Sequence, residues 1–209
     1  MIGSRDFERG REILDNPMVD IATYLFLEDI ADKQGAAGMN NYLMSLAYSL
    51  ARTMPEEEYK SWEEFVDAIV KGESILSAFE KVNAVSDYCM VTVESPFLRG
   101  WKEYTKRIGD FPRIHKEVAE YYNSQITPTA IETGDIIIQT YRKAAAEKIT
   151  VEGKKVYVAH IATVSPDGSK KIAPEEWLPI LLEKAQISRT QLNMILRNNA
   201  AVWLVYPSL

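Results

Sequence analysis

The chain has few of the residues that most often build metal sites and nucleophilic active sites. Its 209 residues include one cysteine, Cys89, and two histidines, His115 and His160. A zinc site of the usual kind would therefore need carboxylates for most of its ligands, and one cysteine cannot form an internal disulfide. The sequence also lacks a phosphate-binding glycine loop, a GxSxG elbow and an HExxH helix. We therefore expect no metal and no cofactor.

Long apolar runs are also missing. No segment reaches the roughly 18 consecutive apolar residues of a membrane span, and residues 1–12 lack the apolar core of a signal peptide. With no disulfide to form, the chain is predicted to be cytoplasmic and to have no membrane partner. Its net charge of −6 disfavours nonspecific binding to nucleic acid.

Two apolar helices are predicted within residues 18–54. Asn16-Pro17 is typical of a helix start, and Gly35 is typical of the end of the first helix. Both helices are apolar on more than one face, so they are either enclosed in a core or used for association. We predict a homodimer through residues 18–54. In the second helix, one apolar face carries Met39, Leu43, Leu46, Leu50 and Met54, and another carries Tyr42, Met44, Tyr48 and Ala51.

The rest of the chain mixes helical and strand patterns. Pro55–Glu58 and Ser61–Glu64 predict helix starts, the second with a capping-box pattern. Strands are predicted at 88–94, at 155–165 and 169–173 around a Pro-Asp-Gly turn, and in the final AVWLVY. Further helices are predicted from Pro96 (resuming over 113–123), over 129–147, and as a pair over 175–185 and 189–198.

These elements predict a single α+β domain over residues 1–209. The helical part would cover about 1–87 and the strand-containing part about 88–209. N-terminal helices would pack on one face of an antiparallel sheet, with a C-terminal helix pair and a final strand.

Five residues are candidates for a site. Cys89 alternates with apolar neighbours in its strand, which favours simple packing, although a nearby cation or helix start could activate its thiol. His160 shares its predicted strand face with Val156, Val158, Ala162 and Val164, and it would titrate near neutral pH if it faced a pocket. Arg99, Trp101 and Tyr104 open a basic, aromatic segment over 99–116 that could hold a flat or anionic ligand.

The helix pair within residues 177–198 also resembles the two core helices of a helix-turn-helix DNA-binding unit. Polar residues after Ser188 could reach base edges. However, the turn at Gln186-Ile187 lacks the usual glycine, and residues 175–209 are neutral overall. DNA binding is therefore not expected, because the basic surface that it needs is missing.

The order of elements carries a family resemblance. Apolar helices with Gly35-Ala36-Ala37-Gly38 precede a strand that ends in Glu94-Ser95-Pro96-Phe97, and then follow a helix with Trp101 and antiparallel strands. Over roughly residues 18–165 this layout resembles the 4-vinyl-reductase-type small-molecule-binding domains and is similar to the amino-thiazoline-carboxylate hydrolase-like proteins. The resemblance implies a dimeric α/β domain with a pocket for an apolar or aromatic molecule. Members often have cysteine beside the proline; here position 95 is serine, which puts thiol-based metal binding or catalysis in doubt.

The leading prediction is a small-molecule-binding domain without evident catalysis, for an apolar, aromatic or anionic ligand. Trp101, Tyr104, His160, Cys89 and Arg99 are its candidate ligand-binding residues, placed between the helical layer and the sheet. One alternative is a hydrolase of a small amide or heterocyclic substrate that uses His160 or Cys89. The other is a DNA-binding regulator that acts through residues 177–198.

Overall fold

The computed structural model of the protein describes residues 16–92, 96–108, 127–164, 170–198 and 201–208. Helices and strands both contribute to it, which confirms the α+β fold class. The helices are α1 (Pro17–Thr53), α2 (Trp62–Lys71), α3 (Pro96–Ile108), α4 (Thr127–Ala146), α5 (Leu178–Lys184) and α6 (Arg189–Arg197), with a 3-10 helix at Ile75–Ser77. The strands are β1 (Glu57–Tyr59), β2 (Val82–Ala84), β3 (Cys89–Thr92), β4 (Ile149–Val151), β5 (Lys154–Val164), β6 (Lys170–Ile172) and β7 (Ala201–Pro207). The predicted helix over 113–123 and the Pro-Asp-Gly turn lie outside the described residues.

The chain divides into two compact units by its internal contacts. The first unit is residues 1–42 and 95–136, and the second is residues 43–94 and 137–209. Because α1 and α4 each contribute residues to both, neither unit is one continuous segment. The single domain over 1–209 stays a prediction.

The two predicted N-terminal helices are confirmed: α1 consists of two helices that meet at a kink at Gly35. Gly35 has φ 66° and ψ 173°, a conformation that glycine adopts without the penalty of a side chain. The helix end predicted at Gly35 is therefore confirmed, and the second helix follows it and ends at Thr53.

In the first unit, α3 lies against α1 at Gly100. A Cβ added to Gly100 would be 2.1 Å from the backbone oxygen of Asp20, so this approach depends on the missing side chain. Beside it, Arg99 Nε donates to Asp20 Oδ2 over 3.0 Å. The rings of Tyr24 and Tyr104 also meet, with centroids 5.9 Å apart. Glycine at position 100 thus sets how closely the two helices pack.

In the second unit, the sheet has the strand order β1-β4-β5-β7-β3-β2, and β6 also pairs with β5. The pairs are antiparallel except at one edge, where β1 and β4 are parallel with Glu57 opposite Ile149. The sheet is therefore mixed and not wholly antiparallel as predicted. β1 lies where Pro55–Glu58 predicted a helix start, because its pairing depends on a partner far along the chain.

Helices cover both faces of this sheet, so the prediction of helices on one face was wrong. The physical reason is β7, in which Val202 to Val205 are all fully buried and alternate between two cores. The first core includes Ala47, Ala51, Phe65, Ile69, Met90, Tyr141, Ala145, Val156, Val158, Trp203 and Val205. The second core includes Cys89, Val91, Ile161, Ala162, Leu178, Leu182, Leu192, Leu196, Val202 and Leu204. α5 and α6 belong to the second core, whereas α2 and the ends of α1 and α4 belong to the first.

Candidate functional site

His160 lies on β5 opposite Trp203 of β7, and this register places it on the sheet face of the first core. Val156 and Val158 contribute to the same core, as the alternating pattern predicts. A bulge between His160 and Ala162 then interrupts the alternation. Ala162 consequently joins the second core and does not share a face with His160, contrary to the prediction.

The imidazole of His160 is short of partners. Both ring nitrogens are buried, and neither has a hydrogen-bond partner among the residues that the structure describes. Burial lowers the pKa of His160 well below its ordinary value, and the cations of Arg142 and Lys143 lower it further. The ring is therefore neutral at pH 7, with one N–H donor and one acceptor nitrogen. Leaving such groups unpaired costs roughly 1–3 kcal/mol each, so a water or a ligand is expected beside them.

Arg142 of α4 supplies a buried cation to the same region. Its guanidinium forms an ion pair with Glu80, and the two side chains are only 3% and 5% exposed. Arg142 Nη2 also donates to Thr92 Oγ1 over 3.2 Å, and its Cζ lies 4.2 Å from the centre of the Trp203 ring. Arg142 Nε is buried and has no partner in the described part of the chain.

Thr92 and Trp203 connect these groups across the sheet. Trp203 Nε1 donates to Thr92 Oγ1 over 3.3 Å, so this hydroxyl oxygen accepts from both Trp203 and Arg142. The Arg142 guanidinium lies over the Trp203 ring, and His160 is the residue opposite Trp203 on the neighbouring strand. We call these five residues the buried polar cluster; they are Glu80, Thr92, Arg142, His160 and Trp203.

The cluster contains one ion pair and three nitrogen atoms that have no hydrogen-bond partner among the described residues. The charge of Arg142 is matched by that of Glu80, and His160 is neutral. Arg142 Nε–H and the His160 N–H are donors without partners in the described residues, and the second His160 nitrogen is an acceptor without one. Such an arrangement can bind a polar molecule. A catalytic base is normally hydrogen-bonded to its nucleophile, whereas no described hydroxyl, thiol or carboxylate is hydrogen-bonded to His160.

Cys89 lies on the opposite face of the sheet from His160. Its strand neighbour is Leu204, which belongs to the second core, whereas His160 is opposite Trp203 of the first core. Burial raises the pKa of the Cys89 thiol to about 12, so the reactive thiolate is absent at neutral pH. Cys89 thus packs as a small apolar residue, and the two residues do not form a Cys–His pair.

The three remaining predicted residues belong to the first unit. Arg99 is paired with Asp20, and Trp101 and Tyr104 both pack against the buried ring of Tyr24. Cys89 and His160 belong to the second unit. The five candidates therefore do not form one cluster within either unit. His115 and the second half of the basic segment 99–116 lie outside the described residues.

The C-terminal helix pair forms as predicted, but the side chains proposed for DNA contact other residues of this chain. Ser188 caps α6 in a capping box with Gln191, and Gln186 in the preceding turn has φ 55°, a conformation more often taken by glycine. Arg189, the basic residue at the start of α6, forms an ion pair with Glu175. The apolar sides of both helices pack in the second core.

Sequence patterns missed Glu80, Thr92, Arg142 and Trp203. A signal for Arg142 was present: Ile138, Tyr141 and Ala145 follow helical spacing, and Arg142 falls on that same apolar face. An arginine on a buried face requires a partner, but the sequence does not reveal that the partner is Glu80.

The comparisons add no relative: no protein-family model, curated protein or solved structure matches the chain. Within the described ranges, no helix has the length and apolar character to cross a membrane. The same residues contain no group of three or more histidine, cysteine or carboxylate side chains that could hold a metal ion.

Proposed function

We propose that the second unit binds a small molecule without catalysing its conversion, and that the ligand contacts the buried polar cluster. The observation that carries this proposal is the pair of buried, unpartnered nitrogens of His160 in the described structure. Arg142 Nε, which is also buried and has no partner among the described residues, is a third such atom in the cluster. A ligand that satisfies these atoms would recover the free energy that their desolvation costs.

Hydrolysis is supported less well. The Cys89 thiol is protonated and lies in the second core, and no nucleophile is hydrogen-bonded to His160 among the described residues. Binding requires only the polar atoms already present, whereas hydrolysis would require an activated nucleophile. No observation in the described part of the chain supports DNA binding: Arg189, the basic residue at the start of α6, is paired with Glu175.

Two further features belong to the proposal. We propose that two copies associate through residues 18–54, since Met44, Leu46 and Tyr48 of α1 are between 38% and 46% exposed. A reducing, cytoplasmic location agrees with Cys89 being a buried free thiol. The resemblance to 4-vinyl-reductase-type domains implies the same kind of dimeric binding function, and it stays a prediction.

Native mass spectrometry of freshly purified protein tests the ligand directly. We expect an added mass that is released under denaturing conditions, that is lost in His160→Phe and that is retained in Tyr157→Phe. Tyr157 is a matched control because it lies on the same strand, β5, and is exposed. An added mass that persists in His160→Phe would show that the ligand binds elsewhere in the protein.

A further inference from the structure

The bend in α1 depends on the backbone of one residue. Gly35, with φ 66° and ψ 173°, is the residue of this element whose backbone is not helical. This pair of angles belongs to a region that is essentially restricted to glycine, because a side chain would clash with the backbone there. Helical angles at Gly35 would give one continuous helix from Pro17 to Thr53. Bent and straight forms of α1 therefore differ in the conformation of a single residue.

The surroundings of Gly35 leave room for both forms. Between Asp32 and Tyr42, every residue whose side chain the structure describes is exposed. A Cβ atom added to Gly35 would have no described atom within 4 Å. A kink is fixed when packing against other elements favours it over the straight helix, and the described part of this stretch has no buried side chain to pack. The backbone at Gly35 can therefore change without displacing a packed residue.

Each half of α1 has its own anchor. Before the bend, Tyr24 is buried and its ring meets that of Tyr104 on α3. After the bend, Ala47 and Ala51 are buried in the first core. Hinges in proteins are a few residues at the ends of elements that absorb changes in φ and ψ. Gly35 has this position, because it lies between two helical halves that are each held by packing.

We infer that Gly35 is a hinge at which α1 exchanges between a bent and a straight form. Glycine is required at this position, because alanine disfavours the bent backbone and favours the helix. The inference does not rest on the proposed function, since it concerns α1 and not the buried polar cluster. The exposed side chains of Met44, Leu46 and Tyr48 follow the hinge, so the exchange changes their direction relative to the first half of α1.

Distances between two spin labels test the hinge. Ala22→Cys and Ser45→Cys place the labels at exposed positions on either side of Gly35. In a straight helix these two positions are about 35 Å apart, at roughly 1.5 Å per residue, and a bend shortens the distance. Cys89 remains in place, because burial keeps its thiol protonated and unreactive toward the label. Excess unlabelled chain restricts the measurement to distances within one copy.

We expect two distance populations in the wild-type background, one at about 35 Å and one shorter. Gly35→Ala should leave only the longer distance, whereas Gly38→Ala should keep both. Gly38 is the matched control because it lies one turn further along α1, and its added Cβ meets only the side chain of Gln34.

A single population in the wild-type background would mean that α1 has one fixed form, and it would overturn the inference. Two populations that persist in Gly35→Ala, or that are lost equally in Gly38→Ala, would overturn the assignment of the hinge to Gly35. Circular dichroism checks that each variant retains its helices. If Gly35→Ala does not fold, the wild-type distances decide: two populations support the hinge and one overturns it.

Discussion

At the scale of single residues, the protonation state of His160 makes folding sensitive to pH. Its pKa in the folded protein is lowered, so the ring is neutral in the fold and becomes protonated in the unfolded chain below about pH 6.5. Stability contributed by the neutral ring is therefore fully present above that pH and is lost as pH falls toward the folded pKa. The loss has an upper limit of about 1.4 kcal/mol per pH unit.

The matching prediction compares His160→Phe with wild type by urea unfolding between pH 7.5 and pH 5. Phenylalanine has no titrating group, so we expect the variant to lose less stability than wild type over this range. Tyr157→Phe, at an exposed position on the same strand, is the control and should follow the wild-type slope. Parallel slopes for wild type and His160→Phe would mean that the imidazole titrates normally and is exposed to water.

The buried ion pair of Arg142 and Glu80 allows a second residue-scale prediction. Arg142→Met leaves the Glu80 carboxylate buried without its cation, and we expect a loss of about 3–5 kcal/mol in the free energy of unfolding. The double variant Arg142→Met/Glu80→Gln should lose less than Arg142→Met alone, because no unmatched charge remains. Denaturant unfolding measures both.

An exposed pair is the control for that experiment. Lys71 and Asp67 lie one helical turn apart on α2 and are 59% and 63% exposed. Lys71→Met should change the free energy of unfolding far less than Arg142→Met does, because water screens exposed charges. Equal effects at Lys71 and Arg142 would contradict the buried position of the Arg142–Glu80 pair.

At the scale of elements, the contact of α3 with α1 depends on one glycine. Gly100→Ala places a methyl group 2.1 Å from the backbone oxygen of Asp20, so the helices must separate. We expect the overpacking to cost about 1–3 kcal/mol, against the small gain that alanine usually brings to a helix. Gly38→Ala is the matched control: its added Cβ meets only the Gln34 side chain, at 3.4 Å or more, so it should be neutral or stabilising. Thermal unfolding that ranks the two variants in the reverse order would contradict this packing.

The sequence predicted the elements whose signals are local. Ser61 caps α2 as its spacing indicates, Pro96 begins α3, and α6 lies within the helix predicted over 189–198. The three-residue strands β1, β2 and β4 were missed because they have too few residues to show alternation, and β1 pairs with a distant parallel partner. For the same reason the candidate site was only partly predictable: His160 was identified from its strand, but its relation to Arg142 and Trp203 depends on strand register.

At the scale of the whole molecule, β7 is the element that makes two cores out of one sheet. It pairs with both β3 and β5, and its residues alternate between the first core and the second. The same alternation separates Cys89 from His160 and leaves His160 on the face with Arg142 and Trp203. The functional proposal therefore follows from strand order and register as much as from residue type.

Association of two copies is the whole-molecule prediction. Met44 and Tyr48 are one helical turn apart on α1, and both expose a large part of their apolar side chains. If this surface is buried between copies, glutamate at both positions must place two carboxylates in an apolar contact, which costs several kcal/mol. We expect light scattering to give about twice 23.7 kDa for wild type and about 23.7 kDa for Met44→Glu/Tyr48→Glu.

Met194→Glu is the control for this prediction, because Met194 is an equally apolar side chain, 60% exposed on α6 and outside residues 18–54. A glutamate there adds the same kind of charge to the surface, so it should leave the mass at twice that of the chain. Circular dichroism of the double variant checks that its helices are retained, since both positions are on the exposed side of α1. A wild-type chain that stays at 23.7 kDa at every concentration would remove the proposed dimer. The buried polar cluster would then have to bind its ligand in a single copy, which its five residues, all in the second unit, permit.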